Sequence, residues 1–219
     1  AVVTTGDELV SVSERPKSYQ NRRSNDLSII TALNSSGYSI EECEHLKDEL
    51  ISSKTLLDRL TELYQIVIIS GGISKGKKDF IPAILDEIGL KCQFHGVAQK
   101  PGKPLGYWCN DTSSVFALPG NPLSTLTCLH QYVIPALNIA SGKILNNNRS
   151  VELSEALVGV KNITTFLPVS VTTENIATQC PCNNSGDLVK ILNSDGYIEL
   201  PPSAAHYPAG SSFIFNPWL

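Results

Sequence analysis

Glycines and lysines that attract oxyanions, and carboxylates that hold cations, recur along this chain in short motifs. The run Ser70-Gly71-Gly72-Ile73-Ser74-Lys75-Gly76 follows four apolar residues, Ile66 to Ile69, and leads through Asp79 to Ile81 and Pro82. Glycines let backbone N–H groups approach a ligand, and a helix beginning just beyond adds partial positive charge. Such a loop is suited to cradle a phosphate or another oxyanion, and taken alone it fits an ordinary βα connection equally well. It also comes close to a P-loop, with Gly71, Gly76 and Lys77 in place, but Lys78 stands where Ser or Thr is needed for Mg²⁺.

Three further segments carry chemistry of the same kind. Thr5-Gly6-Asp7-Glu8-Leu9 places two carboxylates after the apolar start Val2-Val3, where open α/β sheets bind ligands; a solvated turn is the plain alternative. Lys100-Pro101-Gly102-Lys103-Pro104 is a stiff segment with two cationic tips. Pro119-Gly120-Asn121-Pro122 follows Val115 to Leu118 and opens a helix with Asn121 as N-cap and Pro122 in its first turn.

The elements that must position these residues read as strands alternating with helices. Short β-branched runs at Val2–Thr4, Ile66–Ile69 and Val115–Leu118 predict strands, with a further short one at Tyr38–Ile40. Helices are predicted from Ser24 or Asn25 to Gly37 and beyond Asp48 and Glu49, the latter with Leu50, Leu56, Leu57, Leu60 and Leu63 near one face. Others are expected from Ile81 to Gly89 and from Pro122 through Leu126, Leu129 and Val133. The segments Ser11–Arg23 and Phe94–Trp108 read as loops. This rhythm predicts an α/β fold with a doubly wound, mostly parallel sheet. After a Gly-, Lys- and Asn-rich link at 141–150 only short strands follow, at Val151–Leu153, Thr165–Val171, Leu188–Ile191, Tyr197–Leu200 and Ser212–Phe215. These predict a small all-β barrel, giving an α/β domain at 1–143 and a β-barrel domain at 144–219.

The 219 residues are 42% hydrophobic and 17% charged, a globular composition, and the net charge of −4 argues against a general nucleic-acid-binding surface. No apolar run approaches bilayer length and no signal-peptide pattern opens the chain, so a cytoplasmic protein is expected. The six cysteines match no zinc spacing and are read as reduced. The absence of methionine and the opening on Ala1-Val2-Val3 suggest a piece of a longer protein.

The four motifs, in this order, resemble the molybdopterin molybdenumtransferase family, which is related to the C-terminal domain of gephyrin. The tail is similar too, with Ser185-Gly186-Asp187-Leu188 and Leu200-Pro201. The resemblance covers only the second half of a full-length member. It implies a transferase that inserts molybdenum from molybdate into adenylylated molybdopterin with release of AMP, assisted by Mg²⁺. It further implies that Asp79, Glu8 and Asp48 are catalytic, with Asp79 and Glu8 on the metal. Gly71, Gly72, Ser74 and Gly76 would hold phosphate, Ser24 and Asn25 would lie near the nucleotide, and Lys100 and Lys103 would meet molybdate or the pterin phosphate. Pro119 and Pro122 would shape the wall between them. A homodimer formed through missing N-terminal domains, and a molybdopterin adenylyltransferase as partner, are also implied. Gly96 stands where some members carry another lysine. The alternatives are a molybdopterin adenylyltransferase of the same fold, which tends to show Gly-Gly-Thr-Gly and lacks the β-domain, and a non-catalytic peptide-binding scaffold.

Overall fold

The structure is a computed structural model that describes residues 1–74, 80–143, 149–180 and 191–218. In chain order its first elements are β1 (Val2–Thr5), β2 (Leu9–Val10), β3 (Asn21–Arg22), α1 (Asn25–Ser35), β4 (Cys43–Leu46), α2 (Leu50–Leu63), β5 (Ile66–Ser70) and α3 (Ile81–Glu87). Next come β6 (Lys91–His95), β7 (Gln99–Lys100), β8 (Gly106–Cys109), β9 (Ser114–Leu118) and α4 (Pro122–Cys128). A π-helical turn, Leu129–Val133, joins α4 to α5 (Ile134–Ala140).

The first sheet has the order β4-β1-β5-β9-β8-β6. Its first four strands are parallel, and β8 and β6 extend it antiparallel. Because side chains alternate along a strand, Val3, Val67 and Ile69 enter a core with Leu57, Leu60, Ile81, Ile84 and Leu85 of α2 and α3. Val2 and Ile68 point the other way, onto Ile29 and Leu33 of α1 and Leu129 and Val133 of the π-turn. The doubly wound reading of the sequence therefore holds. The connection from β1 runs to β4 on one side, and that from β4 returns to β5 on the other, so the strand order reverses between β1 and β5. In such sheets the crevice at the carboxyl ends of those strands is where ligands bind.

Two segments differ from the sequence reading. Tyr38–Ile40 forms no strand; β4 begins at Cys43 instead, an edge strand of Cys-Glu-His-Leu with little β-propensity. Phe94–Trp108 is more than a loop, since β6 and β8 pair antiparallel across it and leave only the lysine segment between them.

The second sheet takes β10 (Ser150–Leu153), β12 (Thr164–Val171), β13 (Ile176–Gln179), β14 (Gly196–Leu200) and β16 (Ser212–Pro217); β11 (Leu157–Val158) and β15 (His206–Tyr207) form a separate ribbon. Its order β13-β10-β16-β14-β12 closes through β12–β13 pairing into a five-stranded barrel, as the sequence predicted. Val151, Leu153, Val169, Ala177, Ile198 and Phe215 fill it. The expected strand at Leu188–Ile191 falls mostly outside the described residues, as does the Ser185-Gly186-Asp187-Leu188 motif. One strand ties the two bodies together: β7 pairs with β12, Gln99 opposite Thr164 and Lys100 opposite Thr165. No helix among the described residues is long and apolar enough to cross a membrane.

Candidate active site

Three strand-end loops converge where the strand order reverses. After β5 the chain turns at Gly71 and Gly72, with φ of +101° and +67°. A Cβ on Gly71 would stand 2.6 Å from Thr5 Oγ1 and 3.0 Å from the Thr5 carbonyl oxygen, so only glycine lets this loop lie against the end of β1. The Gly71 N–H donates to Leu118 O at 3.0 Å, and Gly71 Cα lies 3.6 Å from where a Cβ on Gly120 would be. The loops after β1, β5 and β9 thus touch one another through backbone.

A buried polar network fixes them. Asn25 Nδ2 donates to Ser70 Oγ at 2.9 Å and to Gly120 O at 2.8 Å. Ser70 Oγ donates to Pro119 O at 3.2 Å, and Thr125 Oγ1 donates to the same carbonyl at 2.6 Å. Ser24 and Asn121 stand at the N-caps of α1 and α4, but neither side chain makes the cap hydrogen bond expected of it.

Above this floor opens a cleft of about 1450 Å³. Of the residues singled out by sequence, Glu8, Ser24, Asn25, Asp48, Gly71, Gly72, Ser74, Lys100, Lys103, Pro119 and Pro122 all line it. Asp79 and Gly76 lie outside the described residues. Glu8 folds back over Gly6, its carboxylate oxygens 2.8 Å from where a Gly6 Cβ would stand. The neighbouring Asp7 Oδ1 accepts the Asp48 N–H at 3.0 Å, which ties the turn after β1 to the start of α2.

Some of the lining was not foreseen. Arg22 and Arg23 face the cleft from β3 and the residue after it, beside the Ser24-Asn25 pair that sequence reading singled out. Arg23 is held to Asp26 at 3.6 Å. The second domain supplies a further wall, through Leu157 and Val158 of the β11 ribbon and through Ile163, Thr165 and Leu200 of the barrel. Nothing local in the sequence marks these residues, because the β7–β12 pairing is what brings the barrel there. Four cationic side chains, Arg22, Arg23, Lys100 and Lys103, therefore share one cleft with glycine amides, two carboxylates and an apolar wall. Such a lining suits a multiply charged anion that carries a ring.

Comparison with known proteins bears on what that anion is. Residues 1–139 match the family model described as a probable molybdopterin binding domain, and residues 150–218 match the MoeA C-terminal region, domain IV. The chain belongs to the MoeA family of molybdopterin molybdenumtransferases. It is 36% identical over 223 residues to the molybdopterin molybdenumtransferase of Synechocystis, a match covering 99% of this chain and 55% of that protein. With the enzyme of the same name from Staphylococcus aureus it shares 28% identity, covering 96% and 51%. The crystal structure of the molybdopterin biosynthesis MoeA protein from Pyrococcus horikosii superposes with a TM-score of 0.83 at 26% identity, covering all of this chain and 54% of that one. The chain thus spans about half the length of the MoeA relatives it matches.

Mg²⁺ held against phosphates needs only one or two protein carboxylates, the rest of its shell being water and phosphate oxygen. Glu8, seated over Gly6, and Asp48 are the carboxylates among the described residues that line the cleft. Among the described residues no group of three or more His, Cys, Asp or Glu is placed to hold a metal unaided.

Proposed function

We propose that this chain is the part of a MoeA-type molybdotransferase that binds adenylylated molybdopterin and molybdate, inserts molybdenum at the dithiolene and releases AMP. The observation that carries this reading is the composition of the cleft. Anion donors from three sheet loops and the lysine segment face an apolar wall from the barrel. The substrate has the matching parts: phosphates, rings, and a tetrahedral dianion as co-substrate.

In this reading the amides of Gly72 and Gly120 hold phosphate oxygens, Gly71 keeps the loop against the end of β1, and Ser74 adds a hydroxyl. Arg22 and Arg23 neutralise the phosphates from the α1 side, while Lys100 and Lys103 face molybdate or the pterin phosphate. Leu157, Val158 and Ile163 cover the ring and exclude water from it. Glu8 and Asp79 would hold Mg²⁺, which would supply positive charge to the phosphoryl oxygens during anhydride cleavage, with Asp48 as a further carboxylate of the cleft. Ser24 and the Asn25 network keep the nucleotide side of the cleft in shape. A homodimer, and hand-over from a molybdopterin adenylyltransferase, belong to the same proposal.

The test is AMP release. Full-length parent protein charged with adenylylated molybdopterin is expected to release one AMP per site when molybdate and Mg²⁺ are added together. Asp79→Asn is expected to abolish that release with the fold intact. A parent protein that releases no AMP under these conditions overturns the reading.

A further inference from the structure

The lysine segment lines the cleft, and Lys100 and Lys103 are both exposed. An exposed lysine has a flexible stem, so it holds an oxyanion well only where its backbone is fixed. Hydrogen bonds close the base of the segment: Val97 N–H to Lys103 O at 2.9 Å and Gly96 N–H to Leu105 O at 2.8 Å. The tip at Pro101-Gly102 has one backbone bond, from Leu105 N–H to Gly102 O at 3.1 Å, and a side-chain fixture besides.

That fixture is the side chain of Gln99, which is only 4% exposed. Its Nε2 donates to Pro101 O at 2.9 Å and lies 3.5 Å from Cys128 Sγ, while its Oε1 accepts from the Tyr132 hydroxyl. A Cβ on Gly102 would come within 2.5 Å of Cys128 Sγ and 2.6 Å of Gln99 Nε2, so the tip is pressed onto α4 as closely as glycine permits. Burial pushes the Tyr132 hydroxyl up to about 12, so it remains a donor across any working pH.

Tyr132 sits in the π-turn, a local widening that is frequent near functional sites. The preceding residue, Gln131, accepts a hydrogen bond from the barrel's Tyr197 hydroxyl at 2.8 Å. Neighbouring helical residues point in different directions, so one turn reaches both the barrel and the lysine segment lying against it. Lys100 meanwhile pairs with Thr165 of the barrel.

We propose that Gln99 and Tyr132 are positioning residues, a clamp that sets where Lys100 and Lys103 stand relative to a bound oxyanion. The oxyanion part rests on the functional reading above; the clamp itself does not. Removing the Tyr132 hydroxyl leaves a buried carboxamide oxygen unpaired, and the tip then loses its fixed height over α4.

The test uses the full chain and two variants, Tyr132→Phe and Gln99→Met, the second keeping the side-chain volume should the first prove too mild. Hydrogen exchange is followed across residues 97–105, with Ile66–Ser70 as internal reference. Sodium molybdate and AMP are titrated separately by calorimetry. Exchange over 97–105 is expected to accelerate at least about tenfold, with the reference unchanged. Molybdate affinity is expected to fall about tenfold, with AMP affinity within about twofold of the starting protein. Unchanged exchange in both variants overturns the clamp. So does equal weakening of molybdate and AMP, which would make the pair ordinary packing. If the unaltered chain binds neither probe, the functional reading fails, while the exchange data still decide the clamp.

Discussion

Asn25 and Ser70 are joined by a 2.9 Å hydrogen bond that ties the first turn of α1 to the last residue of β5. The second Asn25 amide hydrogen goes to Gly120 O, so one carboxamide holds two of the three loops that form the cleft floor. Both donors of Nδ2 are thereby used on the protein itself. This makes Asn25 a brace for the floor of the cleft.

Truncating the brace leaves the buried Ser70 hydroxyl and the Gly120 carbonyl each short of a partner. Asn25→Ala is expected to cost about 2 kcal/mol of folding stability, read from urea unfolding. Nucleotide affinity should fall with it, because the floor loops are no longer tied. Asn25→Asp should be worse than Ala, since a carboxylate has no hydrogen to give Gly120 O and repels it. A midpoint for Asn25→Asp at or above that of Asn25→Ala would refute the brace.

Gly71→Ala tests the close approach of two loops. Its φ of +101° disfavours any side chain, and the added methyl meets Thr5 backbone as well as Thr5 Oγ1. A loss of about 2–3 kcal/mol is expected from strain and contact together. Gly89→Ala provides the control, because that residue also has positive φ, +88°, but nothing stands within 4 Å of its added Cβ. The difference between the two variants, measured by thermal unfolding, isolates the contact.

His130 gives the molecule an acid sensitivity. Burial pushes its imidazole down to about 4, and its ring stands edge-on to Trp218 with centroids 5.4 Å apart. The folded protein thus binds this proton less readily than the unfolded chain, whose histidine titrates near 6.5. Its contribution to stability is full above about pH 6.5 and is lost as pH falls toward about 4, a change of up to about 3 kcal/mol. Carboxylates titrate in the lower part of the same window, so the check is a comparison: His130→Gln should lose less stability between pH 7 and pH 4.5 than the unaltered chain. Parallel curves would show that His130 is not the source.

Much of this was legible before any coordinates. The central strands are uniform β-branched runs buried on both faces, and the glycines sit where loops must touch, so Val2–Thr5, Ile66–Ser70 and the motif residues could be read locally. The buried face of α2 differs from its leucine pattern for a physical reason. Leu50 and Leu63 are 55% and 63% exposed, while Ser53 and Thr61 are buried. The two hydroxyls are satisfied within the helix and its entrance, on Lys47 O and Leu57 O, so small polar residues can lie against the sheet without cost. Arg22 and Arg23 lie in a segment whose sequence reads only as loop, and the barrel wall of the cleft depends on a pairing between residues 99–100 and 164–165 that no local pattern encodes.

Glu8→Gln addresses the metal. The substitution keeps the size of the side chain over Gly6 but removes its charge. AMP release by the full-length parent should then need about tenfold more Mg²⁺ for half-maximal rate, with AMP binding in the absence of Mg²⁺ unchanged. An unaltered Mg²⁺ requirement would move the metal away from Glu8, toward Asp48 and Asp79.

Lys103→Ala separates the two anions that the cleft is proposed to hold. Among the described residues Lys103 enters no ion pair, and its carbonyl is already committed to Val97 N–H, so truncating the side chain should leave the segment's backbone in place. A charge-assisted hydrogen bond is worth about 1.5–3 kcal/mol, which corresponds to a loss of roughly tenfold or more in affinity. Molybdate, a compact dianion near the lysine tips, should show that loss in calorimetric titration. AMP, which the proposed function places mainly on the glycine loops and the arginine side, should change by about twofold at most. The molybdate affinity of the unaltered chain should also fall with added salt more steeply than that of the variant, because one cationic contact has been removed. Equal losses for both ligands would instead place Lys103 on the phosphate, leaving Lys100 as the residue that faces molybdate.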